Sequence, residues 1–305
     1  MLLHRLPGLT AINPIMIAIL IGMAVHNVVR TPKAAKDGIR VSMRTLLRLA
    51  IMLLGLQLTV TEMAAVGRTG ILIIVLSLSA TFLFTMWLGR LLEVNSKLAQ
   101  LIGAGTSICG AAAVIATNTV TRARDEDVAY AIACVTVFGS LWMFLYPLFE
   151  QLLFLTPEGY GLWAGASIHE IAQVVAAGFQ NGPQSGNFAT IAKLTRVLLL
   201  APIVFTLAFF RTRDENGAAP RASLPWFVLG FVVLVIVNSA IPLAPATKSA
   251  AASITSFLLA MALAGMGLET DLSRLKAKGS APMLLGAGSA VFISMFSLAL
   301  IELLS

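Results

Sequence analysis

The sequence predicts an all-α polytopic membrane protein of about ten transmembrane helices, and three observations carry the prediction. Residues of the set AVILMFWYC make up 58% of the 305, and 24 glycines bring the apolar share to roughly two thirds, against about 45–50% in a soluble chain. Charged residues are 11%, where a soluble chain carries about 25%. Runs of roughly 20 apolar residues, long enough to cross the hydrocarbon, follow one another with short connectors. A soluble globule cannot hide so much apolar surface, so the solvent is lipid.

The runs lie near 10–29, 41–61, 69–91, 97–117, 127–149, 160–180, 187–210, 224–242, 247–268 and 280–303. No hydrophilic segment interrupts them, so residues 1–305 are expected to form a single membrane domain. Cys109 and Cys134 both sit inside apolar runs, which excludes a disulfide framework of the secreted kind. The net charge of +7 is scattered between runs and offers no nucleic-acid patch. It fits retention of Lys and Arg on the cytoplasmic side. Odd-numbered connectors hold twelve: Arg30, Lys33, Lys36, Arg40, Arg90, Lys97, Arg211, Arg213, Arg221, Arg274, Lys276 and Lys278. The other side, with both termini, holds five: Arg5, Arg68, Arg122, Arg124 and Lys248. Odd connectors are therefore expected in the cytoplasm and both termini outside. Met1–Thr10 is too short to span and has no leader pattern, so this outward start points to a missing first helix.

Two pairs of stretches resemble each other, a likeness that shared Ala and Val content could also produce by chance. Residues 103–117 and 163–177 share seven of fifteen: Ala104, Gly105, Ser107, Ile108, Ala112, Val114 and Ala116. The run from Leu53 (LLGLQLT) echoes that from Leu263 (LAGMGLE). On a ten-span topology the second pair runs in opposite directions, as inverted repeats of transporters do. The first pair runs in the same direction, so it is an inverted repeat only if the span count differs.

Polar groups inside apolar runs mark function, because a lipid-embedded helix avoids them. Gly103, Gly105 and Gly110 bracket Thr106, Ser107 and Cys109 in the fourth run. Close helix packing is one explanation. The other is a helix broken at Gly105, whose freed N–H groups, with the Thr106 and Ser107 hydroxyls, would bind an anion. Gly265 and Gly267 repeat the weak point beside Glu269. The sixth run places His169, Glu170 and Gln173 within one helical turn, either as interhelical glue or as a proton or ion path. The seventh holds Lys193 and Arg196. They could snorkel, neutralise Glu170, or form a positive wall for an anion, for which the Arg196 fork is suited. Asn238 and Gln57 read as helix–helix hydrogen bonds, and Arg122 to Asp127 as a solvated loop. His at 173 would be needed for a zinc-protease helix, but Gln173 stands there, so no metal site or cofactor is expected.

The runs LLRLAIMLLGLQLT (46–59), LIGAGTSICGAAAVIAT (101–117), SIHEIAQVVAAG (167–178), LTRVLLLAP (194–202) and SFLLAMALAGMGLET (256–270) resemble the bacterial sulfate exporter family, whose name is itself an inference about substrate. The likeness covers about 12–303 and is strongest in GAGTSICGAAAV and HEIAQVVAAG. It implies an elevator-type fold distantly related to bile-acid symporters and sodium/proton antiporters. That fold has inverted repeats, broken crossing helices and a panel domain through which dimers form. The resemblance implies one more N-terminal helix, usual in the family, and the outward start is expected to reflect its absence from the sequence given.

The sequence therefore leads to a secondary transporter of the bacterial inner membrane, moving a small anion such as sulfate or a related sulfur oxyanion. Gly105, Thr106, Ser107, Lys193 and Arg196 would hold the anion, and His169, Glu170, Gln173 and Glu269 the coupling proton or sodium. Rival readings are a cation-coupled organic-acid carrier or cation antiporter using Glu170 and Glu269, an uncoupled channel, and an intramembrane enzyme. The last lacks a nucleophile–base or metal constellation.

Overall fold

A computed structural model describes residues 14–199, 226–241, 243–271 and 279–304. The start of the first run, most of the 199–224 segment and the basic residues at 211–221 and 274–278 lie outside them. The described chain is helical, without strands. Its elements are α1 (Pro14–Val29), α2 (Lys36–Val41), α3 (Leu47–Leu54), α4 (Val60–Ala65), α5 (Gly67–Leu91), α6 (Ser96–Ala104), α7 (Ala111–Thr121), α8 (Asp125–Leu153), α9 (Pro157–Ser167), α10 (Ile171–Gln180), α11 (Pro183–Leu198), α12 (Trp226–Ala240), α13 (Pro245–Glu269) and α14 (Ser280–Leu304). A π-helical segment, Ser42–Leu46, joins α2 to α3. Among the described helices, α5, α8, α13 and α14 are long and apolar enough to cross a bilayer.

The runs at 97–117 and 160–180 are not spans, which corrects the ten-span count. Each folds back on itself. Lys97 Nζ donates to the Arg122 carbonyl at 3.0 Å and Thr121 Oγ1 to Gln100 Oε1 at 3.2 Å, so α7 ends where α6 began. In the second, Tyr160 Oη donates to the Ala177 carbonyl at 3.1 Å, and Gly161 and Gly178 both abut Ser185 and Ala189 of α11. Both segments are helical hairpins. Their bases lie at opposite ends of α8, whose 29 residues measure about 43 Å. Their tips meet at its middle, where Gly105 abuts Val135 and His169 abuts Gly139. The two segments of similar sequence therefore enter from opposite sides, as an inverted repeat requires.

Local sequence explains each return. The first tip is a π-helical segment, Gly105–Cys109, that ends at Gly110 with φ +68°, a backbone region favourable only to glycine. The second opens at Ile168, extended at φ −62°, ψ 143°, and restarts from Glu170 at φ −101°, ψ 144° as the residue capping α10. The break expected at Gly105 thus falls at Gly110. His169 and Glu170 lie in the turn itself rather than on a continuous helix.

The helices form two bodies. One comprises α5, both hairpins, α8, α11 and α14, with Thr85 and Ser289 hydrogen-bonded at 2.8 Å and Phe84 stacked on Phe292 at 4.0 Å. The other comprises α1–α4, α12 and α13. There the Gly22 and Gly267 backbones meet directly, and Asn27 Nδ2 donates to the Thr270 carbonyl at 2.9 Å. Asn238 Nδ2 donates to the Leu58 carbonyl at 2.7 Å, the interhelical bond expected of it. Helix α13 runs unbroken to Glu269, so Gly265 and Gly267 permit close packing instead of a break. The bodies touch where α10 meets α1 and α13 and where α11 meets α4.

The hairpins make a direct topological prediction. Single cysteines replacing Asn95 and Ala123, in a background lacking Cys109 and Cys134, label with an impermeant maleimide from the same membrane face. Cysteines replacing Thr156 and Gly182 label together from the opposite face. Labelling of 95 and 123 from opposite faces would restore a spanning helix.

Candidate functional site

The site forms where the two tips meet, and α11 ties them together. Lys193 and Arg196, three apart on α11, are fully buried. Lys193 Nζ donates to the carbonyls of Ile108 at 3.0 Å and Ile168 at 2.7 Å, one in each tip. Arg196 does the same with its whole fork. Nε and Nη2 reach the Ser107 carbonyl at 3.2 and 2.8 Å, and Nη2 also reaches that of Thr106 at 2.8 Å. Nη1 reaches the carbonyls of Gly165 at 3.1 Å and Ile168 at 3.2 Å. These are the carbonyls that a helix leaves unpaired at its C-terminal end, where a cation also meets the negative pole of the helix. In this arrangement the two side chains do not form an open anion wall, nor do they snorkel. Their donors face backbone oxygen.

The opposite poles also converge. Helix α7 starts at Ala111, and its backbone ladder begins only with Val114 N donating to Gly110 O at 3.1 Å. The Glu170 carboxylate, from the other hairpin, accepts the Ala111 N–H at 2.5 Å. The positive helix end predicted to bind an anion thus holds the protein's own carboxylate. Gly110 leaves room for it: a Cβ there would collide with the Glu170 carboxylate. Gln173 Oε1 accepts the Glu170 backbone N–H at 3.1 Å, while Gln173 Nε2 donates to the Thr136 carbonyl at 3.0 Å and Ser140 Oγ at 3.1 Å on α8. Gly139, between them, admits the Gln173 amide and the His169 Cβ.

His169 is fully buried, and neither ring nitrogen has a partner among the described residues. A buried unsatisfied polar group costs about 1–3 kcal/mol. Thr106 and Ser107 are buried at the first tip, but the Ser107 hydroxyl donates back to the Gly103 carbonyl at 2.7 Å. Glu269 is exposed at the end of α13 and does not join the cluster. The acidic residues Asp125, Glu126 and Asp127 form the first turn of α8 rather than a loop. There they face the positive end of the helix.

Sequence inspection placed a span at α8 but missed that its Thr136 and Ser140 belong to the site, and it missed the paired carbonyls. The pattern Thr136, Gly139, Ser140 at helical spacing was the available signal for α8. The carbonyls leave no trace in side-chain identity.

Fold and site define a multi-pass all-helical membrane protein in which two opposed hairpins meet around a buried charged cluster. The chain belongs to the family described as Conserved hypothetical protein 698, which it matches over residues 1–286. It is 42% identical to UPF0324 membrane protein PA5383 of Pseudomonas aeruginosa over 290 residues, covering 90% of this chain and 82% of the relative. It is 41% identical to UPF0324 inner membrane protein YeiH of Escherichia coli K12 over 278 residues, covering 88% and 79%. It is 39% identical to a UPF0324 membrane protein of Yersinia pestis over 284 residues, covering 88% and 78%. No solved structure matches the chain. The relatives' names and the apolar helices agree on a multi-pass inner membrane protein.

Proposed function

We propose that the protein is a secondary transporter of a small anion, of the sulfur-oxyanion class, driven by proton exchange. One observation carries the reading: two hairpins entering from opposite ends meet at the middle of α8 around buried Glu170, His169, Lys193 and Arg196. A charged cluster buried in a membrane protein is expensive unless it serves a path. The two-body arrangement suits alternating access, with the hairpin body sliding against α1, α3, α12 and α13.

The corrected topology also strengthens the orientation. With 97–117 folded back, the first hairpin's base shares its side with Arg30, Lys33, Lys36, Arg40, Arg90, Lys97, Arg122 and Arg124. Arg68 and Lys248 lie on the other. Eight against two among the described connector residues supports a reading with the first hairpin's base in the cytoplasm and the second's outside.

The cation-carrier alternative uses Glu269 with Glu170, and the exposure of Glu269 at the end of α13 weighs against it. The test is purified protein in liposomes on a solid-supported membrane, challenged with sulfate, sulfite, sulfonates and carboxylates under a pH step. Radiotracer counterflow covers electroneutral exchange. Proton-dependent flux of one of these anions is expected. Folded protein that moves none of them by either method would overturn the reading.

A further inference from the structure

The Glu170 carboxylate sits where an anionic ligand would. Its oxygen accepts the Ala111 N–H at 2.5 Å, across the gap between two hairpins. Beside it, in the same turn, His169 is buried with neither ring nitrogen partnered among the described residues. Resting on the transport reading above, we propose that Glu170 is a tethered competitor for the transported anion: it plugs the α7 N-terminus when ionised and yields it to a singly charged oxyanion when protonated.

Every ionisable group around Glu170 enters the charge argument. Among the described residues, Lys193 faces it from α11 and Cys109 from the first tip, and Arg196 and His169 complete the buried cluster around Lys193. The α8 residues holding Gln173 are Thr136 and Ser140, which carry no charge. Lys193 and Arg196 are fixed on carbonyls of both tips, so the exchangeable negative charge at this point is the carboxylate. A proton from the bulk joins Glu170, the Ala111 N–H passes from its oxygen to an oxygen of the ligand, and His169 supplies a further ring N–H or lone pair. Replacing one carboxylate by one monoanion leaves the buried net charge unchanged. A dianion would alter it, and net charge is costly at low dielectric. Monoanions such as methanesulfonate, hydrogen sulfite or acetate are therefore preferred over sulfate, with one proton taken up per anion.

The experiment is binding of these four anions to the full-length protein in proteoliposomes, with a pH indicator reporting proton uptake in weak buffer. In the wild type, affinity for a monoanion falls about tenfold per pH unit once Glu170 is ionised, as one-proton linkage demands. Glu170→Gln binds the anion with no uptake and no pH slope. Should that variant fail to fold, infrared difference spectra of the wild type decide. Anion addition then produces a new protonated-carboxyl band, and its absence overturns the proposal. Binding without proton uptake, or uptake that persists in Glu170→Gln, removes the plug but leaves an anion carrier. Failure of all four anions to bind folded Glu170→Gln, whose α7 N-terminus has no competing charge, sinks both the plug and the anion-transport reading.

Discussion

Arg196→Ala lowers the unfolding temperature in detergent by roughly 10 °C or prevents folding altogether. The reason lies in what the guanidinium holds. Its nitrogens satisfy the carbonyls of Thr106, Ser107, Gly165 and Ile168, all at tips inside the protein and away from water. Leaving buried carbonyls unpaired costs about 1–3 kcal/mol apiece, and 1 kcal/mol shifts the midpoint of a domain of about 150–250 residues by about 2–4 °C. Lysine cannot replace the fork, because a single ammonium is a point donor and cannot span two tips in one plane. Arg196→Lys therefore recovers less than half of the loss. Fluorescence-detected thermal unfolding checks both variants. A stable Arg196→Ala protein that merely loses anion affinity would return Arg196 to the role of substrate ligand.

Gly110→Ala produces the second large loss, and two separate causes add. The backbone at Gly110 has φ +68° and ψ −134°, where a Cβ costs about 1–3 kcal/mol. That Cβ also lands on the Glu170 carboxylate, so the Ala111–Glu170 bond and the contact between the tips must part. Gly182→Ala isolates the first cause, since its φ is +103° yet nothing lies near its Cβ. The difference between the two variants measures the tip contact. Unfolding midpoints that fall equally would show that the collision at Gly110 is relieved elsewhere. Folded Gly110→Ala protein, if recovered, has lost the seat of Glu170 and with it proton-linked anion binding.

Much of the site was legible because lipid makes polar residues conspicuous. Lys193, Arg196, His169, Glu170 and Gln173 were each identified as misfits in apolar runs, and all five meet at the tips. Their roles were not legible. A charge three residues from another on a helix reads equally as anion wall, snorkelling pair or counter-ion. The carbonyls that choose among these belong to other helices, and every residue type has one. Glu269 shows the reverse error. Its sequence neighbourhood echoes the second run, yet α13 stays helical to its end and leaves the side chain exposed.

The sequence by itself determined the solvent, the helical class and which charged residues stand inside apolar runs, because these follow from composition and run length. Only the tertiary structure decided that 97–117 and 160–180 turn back instead of crossing. A hairpin and a span of equal length bury the same apolar residues. Which of them forms depends on whether a turn's unpaired N–H and C=O groups find partners in mid-membrane. Here those partners are Glu170, Lys193 and Arg196, all reached across elements distant in the chain.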